Sequence, residues 1–343
     1  MVSEVKEVID LDSIANKTIA VDAYNTIYQF LSIIRQPDGT PLTDSKGRVT
    51  SHLSGLFYRT ANLLDYGITP VFVFDGIPPI QKRKTIEARM NRRKIALEEW
   101  SRAKEQGLEA EARTHAMAST RITKEVVASA KELLDYTGIA YYQAPSEGEA
   151  QAARFVANGF AYGLASQDYD SFLFGADVVL RNITISGKRK LPGKDVYIVS
   201  KPERILLKDI LEKFAISRKQ LIWIGMLVGT DFNEGVEKVG PKTAMKIVKG
   251  KKDVNEVAAY VKEKYGVEMD EPETIESIFY KPDINEMQRG QFEALLKKEP
   301  DREKLMHFMC DEYEFSSERI EKFAEKFTQF KSQKRQKGIN SWM

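Results

Sequence analysis

Three short apolar runs in this chain each stop on or just before an acid, and this limits the possible folds more than any other feature. Thr18-Ile19-Ala20-Val21 runs into Asp22, Pro70-Val71-Phe72-Val73-Phe74 into Asp75-Gly76, and residues 161–165 lead to Asp168 and Asp170. A fourth run, 139–143, leads into Ala144-Pro145-Ser146-Glu147-Gly148-Glu149-Ala150. Such runs suit buried strands. Helical periodicity lies between them: Tyr24, Ile27, Tyr28, Phe30 and Leu31, then 53–66, then 124–136 closed by Gly138, then 150–156 closed by Asn158-Gly159. Alternating strands and helices predict an α/β fold with a mostly parallel central sheet flanked by helices. Ligands of such sheets gather beyond the carboxyl ends of the strands. Acids far apart in sequence should therefore meet at one edge.

Glu147 with Glu149, and Asp168 with Asp170, are pairs spaced two apart, and Asp231 follows the apolar helix 221–228. Carboxylates packed together repel one another and resist ionisation. A divalent cation holds them ionised together. A plainer reading stands beside this one. Ser146-x-x-Glu149 behind Pro145 fits a capping box, and an Asp after a strand is commonly a cap or turn residue. The box does not use Glu147, and capping leaves the pairing unexplained. His52, His115 and His307 are scattered and form no zinc pattern. The lone Cys310 excludes an internal disulfide, fits a reducing compartment, and sits in an apolar stretch as a buried helix residue rather than a nucleophile. The metal is then a hard cation held by oxygen. An all-carboxylate cluster suits two Mg²⁺ or Mn²⁺ ions about 4 Å apart, the machinery of phosphodiester hydrolysis.

The 343 residues suffice for a sizeable core, and the net charge of +2 does not announce a nucleic-acid binder. No apolar run is long enough to span a bilayer, and the charged N-terminus lacks a signal-peptide core. Residues 81–125 are dense in charge and predict exposed helices outside the main core. Lys82 and Arg89, seven apart, share a helix face, and spacing alone makes that a solvated face. Residues 36–50 are rich in turn signals, 183–199 suggest a basic hairpin, and from 203 onward the pattern is almost wholly helical. Gly235-Val236-Glu237-Lys238-Val239-Gly240-Pro241-Lys242 lies between two helical patterns. Pro241 suits a helix start whose amides bind phosphate, as in a helix-hairpin-helix. The stretch 331–343 turns basic and polar and closes on Ile339, Trp342 and Met343.

Taken together, these stretches resemble the archaeal flap endonucleases of the XPG-type family of structure-specific 5′ nucleases. Val73-Phe74-Asp75-Gly76 with Pro78-Pro79, the runs 144–150 and 166–170, Gly229-Thr230-Asp231-Phe232 and Gly240-Pro241-Lys242 all occur in family order. The resemblance implies a PIN-like 5′ nuclease fold and a flap endonuclease with 5′–3′ exonuclease activity, acting in Okazaki-fragment maturation and repair. It implies that Asp22, Asp75, Glu147, Glu149, Asp168, Asp170 and Asp231 hold two Mg²⁺, with Mn²⁺ as a substitute. Lys82 and Arg89 then reach the scissile phosphate and Tyr28 stacks on a base, against the solvated-face reading. Residues 36–59, with Thr50 and Arg59, form a wedge and a 3′-flap pocket. Gly235, Val236, Val239, Gly240 and Lys242 bind duplex DNA, with K⁺ on the hairpin carbonyls. Gln336, Ile339, Trp342 and Met343 dock on the sliding clamp, PCNA. The implied organisation is one nuclease domain, 1–330: an α/β core at about 17–80 and 125–230, a helical arch at 81–124, the helix-hairpin-helix at about 219–250 and C-terminal helices at 251–330. A flexible clamp-binding tail, 331–343, follows. The implied partners are flapped or nicked duplex DNA and the clamp, for a monomer in the archaeal cytoplasm, near the nucleoid, with no membrane contact. The alternatives are a non-catalytic DNA-junction scaffold and an RNA-directed 5′ nuclease. Two departures stand out. Family members begin Met-Gly, where this chain has Met1-Val2, in a segment expected near the active site. The clamp motif normally ends in two aromatics, where this chain has Met343.

Overall fold

The structure, a computed structural model, describes residues 2–36, 38–184, 187–190 and 197–340. Seven strands form one sheet: β1 (Glu7–Val8), β2 (Thr18–Asp22), β3 (Thr69–Phe74), β4 (Ala140–Gln143), β5 (Leu164–Ala165), β6 (Val178–Arg181) and, after the hairpin β7 (Gly187–Lys190) and β8 (Tyr197–Ser200), β9 (Glu203–Leu206). Their order is β1-β9-β6-β5-β2-β3-β4. The five strands from β6 to β4 are parallel, and β9 and β1 add an antiparallel edge. The chain builds outward from β2 through β3 to β4, then returns to lay β5 against the other side of β2. That reversal opens a crevice at the carboxyl ends of β2 and β5.

Successive strand residues point to opposite faces, so the two central strands supply both cores. Ala20, Val71 and Val73 face one, with Phe155, Ile222 and Trp223. Ile19, Val21, Phe72 and Phe74 face the other, with Ile27, Phe57, Leu133 and Phe327. Each fully buried Leu, Ile or Phe contributes roughly 1.5–3 kcal/mol of transfer free energy. The helices of the first half are α1 (Ala23–Ile33), α2 (Ser51–Asp65), α3 (Arg83–Glu105), α4 (Glu109–Ala118), α5 (Lys124–Tyr136), α6 (Gly148–Ala157) and α7 (Asp170–Leu173). Those of the second half are α8 (Leu207–Phe214), α9 (Arg218–Val228), α10 (Pro241–Val248), α11 (Val254–Tyr265), α12 (Pro272–Tyr280), α13 (Arg289–Leu295), α14 (Arg302–Met306) and α15 (Ser317–Asn340).

The charged region is two exposed helices, α3 and α4, whose buried residues are all alanines: Ala96, Ala103, Ala112 and Ala116. Small residues let the two backbones pack closely without a hydrophobic stripe. Asp38 and Gly39 close onto this pair. Lys104 Nζ lies 3.1 Å from Asp38 Oδ2, and a Cβ added to Gly39 would meet Ala116 Cβ at 2.8 Å.

Four expectations need correction. The almost wholly helical pattern expected from 203 begins only at 207, because residues 203–206 form β9, which pairs with β6 and β1; strands of four and two residues carry too little periodicity to be read. Residue 331 does not begin a tail. Helix α15 continues to Asn340, because Phe327 and Phe330 are buried and the Lys331 ammonium donates to the Leu296 carbonyl at 2.8 Å. Its Lys, Gln and Arg residues are also good helix formers. Cys310 is only half-buried, within a π-helical turn, His307–Glu312. The N-terminal turn Val2–Glu4 is tied to α8 through a bond from Lys213 Nζ to the Glu4 carbonyl, and the acid-lined cavity described below is lined from Asp22 onward.

Candidate active site

Three helix starts converge at the carboxyl edge of the sheet. Asp22 ends β2 and caps α1, accepting from the Asn25 amide at 2.9 Å. Asp75 follows β3 and accepts from the Gly148 amide at the start of α6 at 2.7 Å. Asp168 follows β5 and accepts from the Asp170 amide at the start of α7 at 3.3 Å. The positive ends of these helices partly offset the gathered negative charge. The crowding leaves no room for side chains at the two glycines here: a Cβ on Gly148 would lie 2.7 Å from Asp75 Oδ1, and one on Gly76 2.3 Å from the Ala144 and Pro145 carbonyls. The capping-box reading of Ser146 and Glu149 does not hold. Glu147 is the N-cap of α6, no side chain caps it, and Glu149 instead accepts a hydrogen bond from the Ser171 hydroxyl.

A cavity of about 620 Å³ at this edge is lined by all seven acids, together with Tyr28, Lys82 and Arg89. Lys82 Nζ lies 2.6 Å from Glu147 Oε2 and 3.3 Å from Asp231 Oδ2, and Arg89 also pairs with Asp231. Lys82 sits at the N-cap of α3, at the end of the 3₁₀ turn Ile80–Lys82, rather than within the helix. The shared carboxylate, more than helix periodicity, brings it together with Arg89. Asp231 is held by a tight turn after α9, in which the Thr230 hydroxyl donates to Asn233 Oδ1 at 2.7 Å and the Asn233 side-chain Nδ2 to the Met226 carbonyl at 2.6 Å. Sequence reading left out Asn25, Gly148, Ser171, Arg92 and Arg93. The two arginines had a signal, since they follow Arg89 by three and four residues and line the same cavity. Asn25 meets Asp22 through an ordinary local helix cap, which marks no site, and Gly148 and Ser171 act through contacts across the fold and had no signal.

Water reaches the cavity floor only partly, and this raises Asp22, Asp75, Glu147, Glu149 and Asp170. Burial, then Asp75 and Asp168, lift Asp22 to about 7. Burial, then Asp168 and Asp231, lift Asp170 to about 8. Burial and the same kind of repulsion from Asp168 and Asp22 hold Glu149 well above the ordinary range. Burial alone would lower the Lys82 ammonium, but Glu147, Asp231 and Asp75 outweigh it and keep it charged. Seven carboxylates thus face four cationic side chains, of which Lys82 and Arg89 touch them.

This donor set fits hard divalent cations: it is all oxygen, crowded, and short of positive charge. Among the described residues no three such groups close on one point as a finished metal shell. The carboxylates turn instead to Lys82, Arg89, Ser171 and the amide at Gly148. The raised acids make a thermodynamic prediction. An acid raised in the folded state favours the protonated fold, so its contribution to stability falls as pH climbs from the unfolded value of about 4 toward the folded one. For Asp22 and Asp170 that window runs up to about 7 and about 8. In chelator, the melting temperature should drop across this window, and Mg²⁺ should restore more of it at the higher pH. Asp170→Asn should flatten the drop; an unchanged slope in scanning calorimetry would contradict these shifts.

The other expected site residues lie elsewhere. Thr50 is buried beside α2 and its amide donates to the Leu42 carbonyl at 2.8 Å; Arg59 is half-buried on α2. Val236 and Val239 are buried, with their amides bonded to the Leu227 and Val236 carbonyls, so they shape the loop between α9 and α10 from within. Gly235 has φ +77°, and a Cβ there would lie 2.6 Å from Gly229 N. Gly240, by contrast, opens onto free space ahead of Pro241, and Lys242 is exposed. Gln336 is exposed on α15, the Ile339 backbone lies in its last turn, and Trp342 and Met343 lie outside the described residues.

Comparison with known proteins now adds the family. The description "XPG N-terminal domain" matches residues 1–96 and "XPG I-region" matches 138–231. Flap endonuclease 1 of Methanosarcina acetivorans is 48% identical over 337 residues, covering 98% of this chain and 97% of that protein. The Archaeoglobus fulgidus protein of the same name is 49% identical over 327 residues, covering 95% and 94%. Among solved structures, flap endonuclease-1 from Methanococcus jannaschii superposes with a TM-score of 0.73 at 34% identity, covering 96% of this chain and 97% of that one. The catalytic core of Rad2, solved with a DNA substrate, shares the fold at a TM-score of 0.66 and 23% identity, covering 95% and 97%. With its acids gathered at the crevice of this sheet and near-full-length relatives of one name, the chain belongs to the flap endonuclease 1 group of the XPG family.

Proposed function

We propose that this protein is a structure-specific flap endonuclease that hydrolyses a DNA phosphodiester near the junction of a single-stranded 5′ flap with duplex, in Okazaki-fragment maturation and repair. A 5′–3′ exonuclease activity accompanies it. The observation that carries this reading is the meeting of seven carboxylates with Lys82 and Arg89 in one open cavity. A scaffold has no use for so costly a cluster of crowded, mostly half-buried acids.

XPG-family nucleases are metal-dependent. The seven acids would hold two Mg²⁺, or Mn²⁺ in their place, and ions so held supply a nucleophilic water and neutralise charge on the attacked phosphate and leaving oxygen. The chain's own residues do the rest. Lys82 and Arg89 exchange their carboxylate partners for the scissile phosphate and draw it to the acids. Arg92 and Arg93, one turn on, extend the cationic wall along the strand. Tyr28, at the cavity rim, stacks on a base beside the cut. Helices α3 and α4 form the arch over a single-stranded flap. The wedge and 3′-flap pocket fall in 36–59, with Thr50 and Arg59 supporting them. The open Gly240 amide region and Lys242 contact duplex phosphate, while Gly235, Val236 and Val239 shape the turn and offer carbonyls to K⁺. Gln336, Ile339, Trp342 and Met343 dock on the sliding clamp, and the chain works as a monomer.

Cleavage of a labelled double-flap DNA in Mg²⁺, beside hairpin, single-strand and RNA-flap controls, tests this reading. Junction-selective cutting of the DNA flap is expected. Deleting residues 336–343 should leave cutting of free DNA intact and remove clamp stimulation. Cutting without regard to the junction would refute the assignment, and clamp stimulation of the truncated chain would refute the docking role of the C-terminal residues.

A further inference from the structure

Tyr169 stands between Asp168 and Asp170, and it is 36% exposed. It is not loose. The Arg181 guanidinium lies over its ring at 4.5 Å from the centroid, and Arg181 Nη1 donates to the Tyr169 hydroxyl oxygen. Arg181 closes β6, and its Nη1 lies 3.7 Å from Glu203 Oε2 on β9. The Arg181 Nε is buried without a partner, so the side chain gives up one hydrogen bond to hold this position. The same turn is tied to β6 a second time, where the Ser166 amide donates to the Leu180 carbonyl at 3.2 Å. Within the turn, the Asp168 amide donates to Ser166 Oγ at 3.1 Å.

Both ties end on the five residues that carry two of the seven acids. A turn with no core of its own would let those carboxylates wander, and ions are sensitive to the spacing of their donors. We propose that Arg181 and Tyr169 are positioning residues: by stacking and hydrogen bonding they lock the turn at 166–170 to β6 and fix the separation of the Asp168 and Asp170 carboxylates for the divalent ion. This rests on the reading that these acids hold the ion. Arginine suits the task because its planar group both stacks on a ring and donates at its edge. It also makes the antiparallel edge, β6 with β9, part of the machinery although no residue of β9 lines the cavity.

Mn²⁺ affinity, read on DNA-free protein from the electron-paramagnetic-resonance signal of the free ion, tests this independently of any cleavage. Tyr169→Ala and Arg181→Gln should each weaken Mn²⁺ binding about tenfold, the lower end for residues that orient metal ligands. The double variant should lose no more than the worse single, because both act through one contact. Tyr169→Phe keeps the ring and loses only the hydroxyl, so it should lose about two- to threefold at an unchanged melting temperature. Cleavage lost in Tyr169→Ala should return as Mg²⁺ is raised. Unchanged Mn²⁺ affinity in Tyr169→Ala and Arg181→Gln overturns the proposal. So does weaker flap-DNA binding in Ca²⁺ at unchanged Mn²⁺ affinity, which would make the pair a nucleic-acid contact. If Tyr169→Ala fails to fold, an undiminished Mn²⁺ affinity in Tyr169→Phe and Arg181→Lys overturns it equally.

Discussion

Replacing Asp170 with alanine is expected to lower flap cleavage at saturating Mg²⁺ by about a thousandfold or more while junction binding in Ca²⁺ stays within about threefold. A catalytic ion supplies several kcal/mol of transition-state stabilisation, and each ~1.36 kcal/mol is tenfold in rate. Asp170 opens α7 with burial, Asp168 and Asp231 all pressing against its ionisation. That strain adds a second readout. Removing the acid takes away repulsion, so the ion-free protein should melt at a higher temperature than wild type even as activity disappears. Ca²⁺ should support binding with little cutting, because its looser coordination serves the ligands without the geometry of the smaller ion. Near wild-type turnover in Asp170→Ala would remove it from the metal site; lost binding with lost turnover would make it a DNA contact instead.

Arg89→Ala should lower single-turnover cleavage by about a hundredfold or more, the size seen when one charge-stabilising donor is removed. The Arg89 side chain is 46% exposed, so its ion pair with Asp231 adds little to folding, and the loss cannot be blamed on an unfolded chain. In the proposed role its work begins when the pair opens and the guanidinium turns to the phosphate. Contacts that strengthen in the transition state lower turnover more than affinity. Arg89→Lys should recover only part, because an ammonium lacks the two-point planar grip. Lys82, held deeper between Glu147 and Asp231, should be harder to replace. The reverse pattern would sink the role given to Arg89: binding strongly weakened, with a shallower salt dependence, while bound DNA is cut at the normal rate.

The helix 124–136 is legible in the sequence with its ends, because Thr123 caps it and Gly138 takes the positive φ after it. The central strands are legible too, as is the convergence of acids that follow them. The edge strands β1 and β9 are not, and neither is the course of α15 past residue 331. In each case the local signal is short or polar, and the structure is decided by what the segment packs against. The same holds within the site. Glu149 has a respectable local reading as a capping residue, and the start of α6 at Glu147 together with the approach of Ser171 from another helix replaces it.

What the sequence determined by itself is the set of chemical groups and the sheet edge where they had to meet. Strand and helix periods are local properties, written in a dozen neighbouring residues, and an acid at a strand end inherits its place from them. What only the tertiary structure decided is which groups touch. Lys82 meets Glu147 across 65 positions and Arg89 meets Asp231 across 142. Tyr169 finds Arg181 because β5 and β6 are neighbours in parallel register, with Ala165 beside Leu180. Such partners depend on strand order and on distances of a few tenths of an ångström, set by the packing of both cores at once. No short stretch of the chain holds that information.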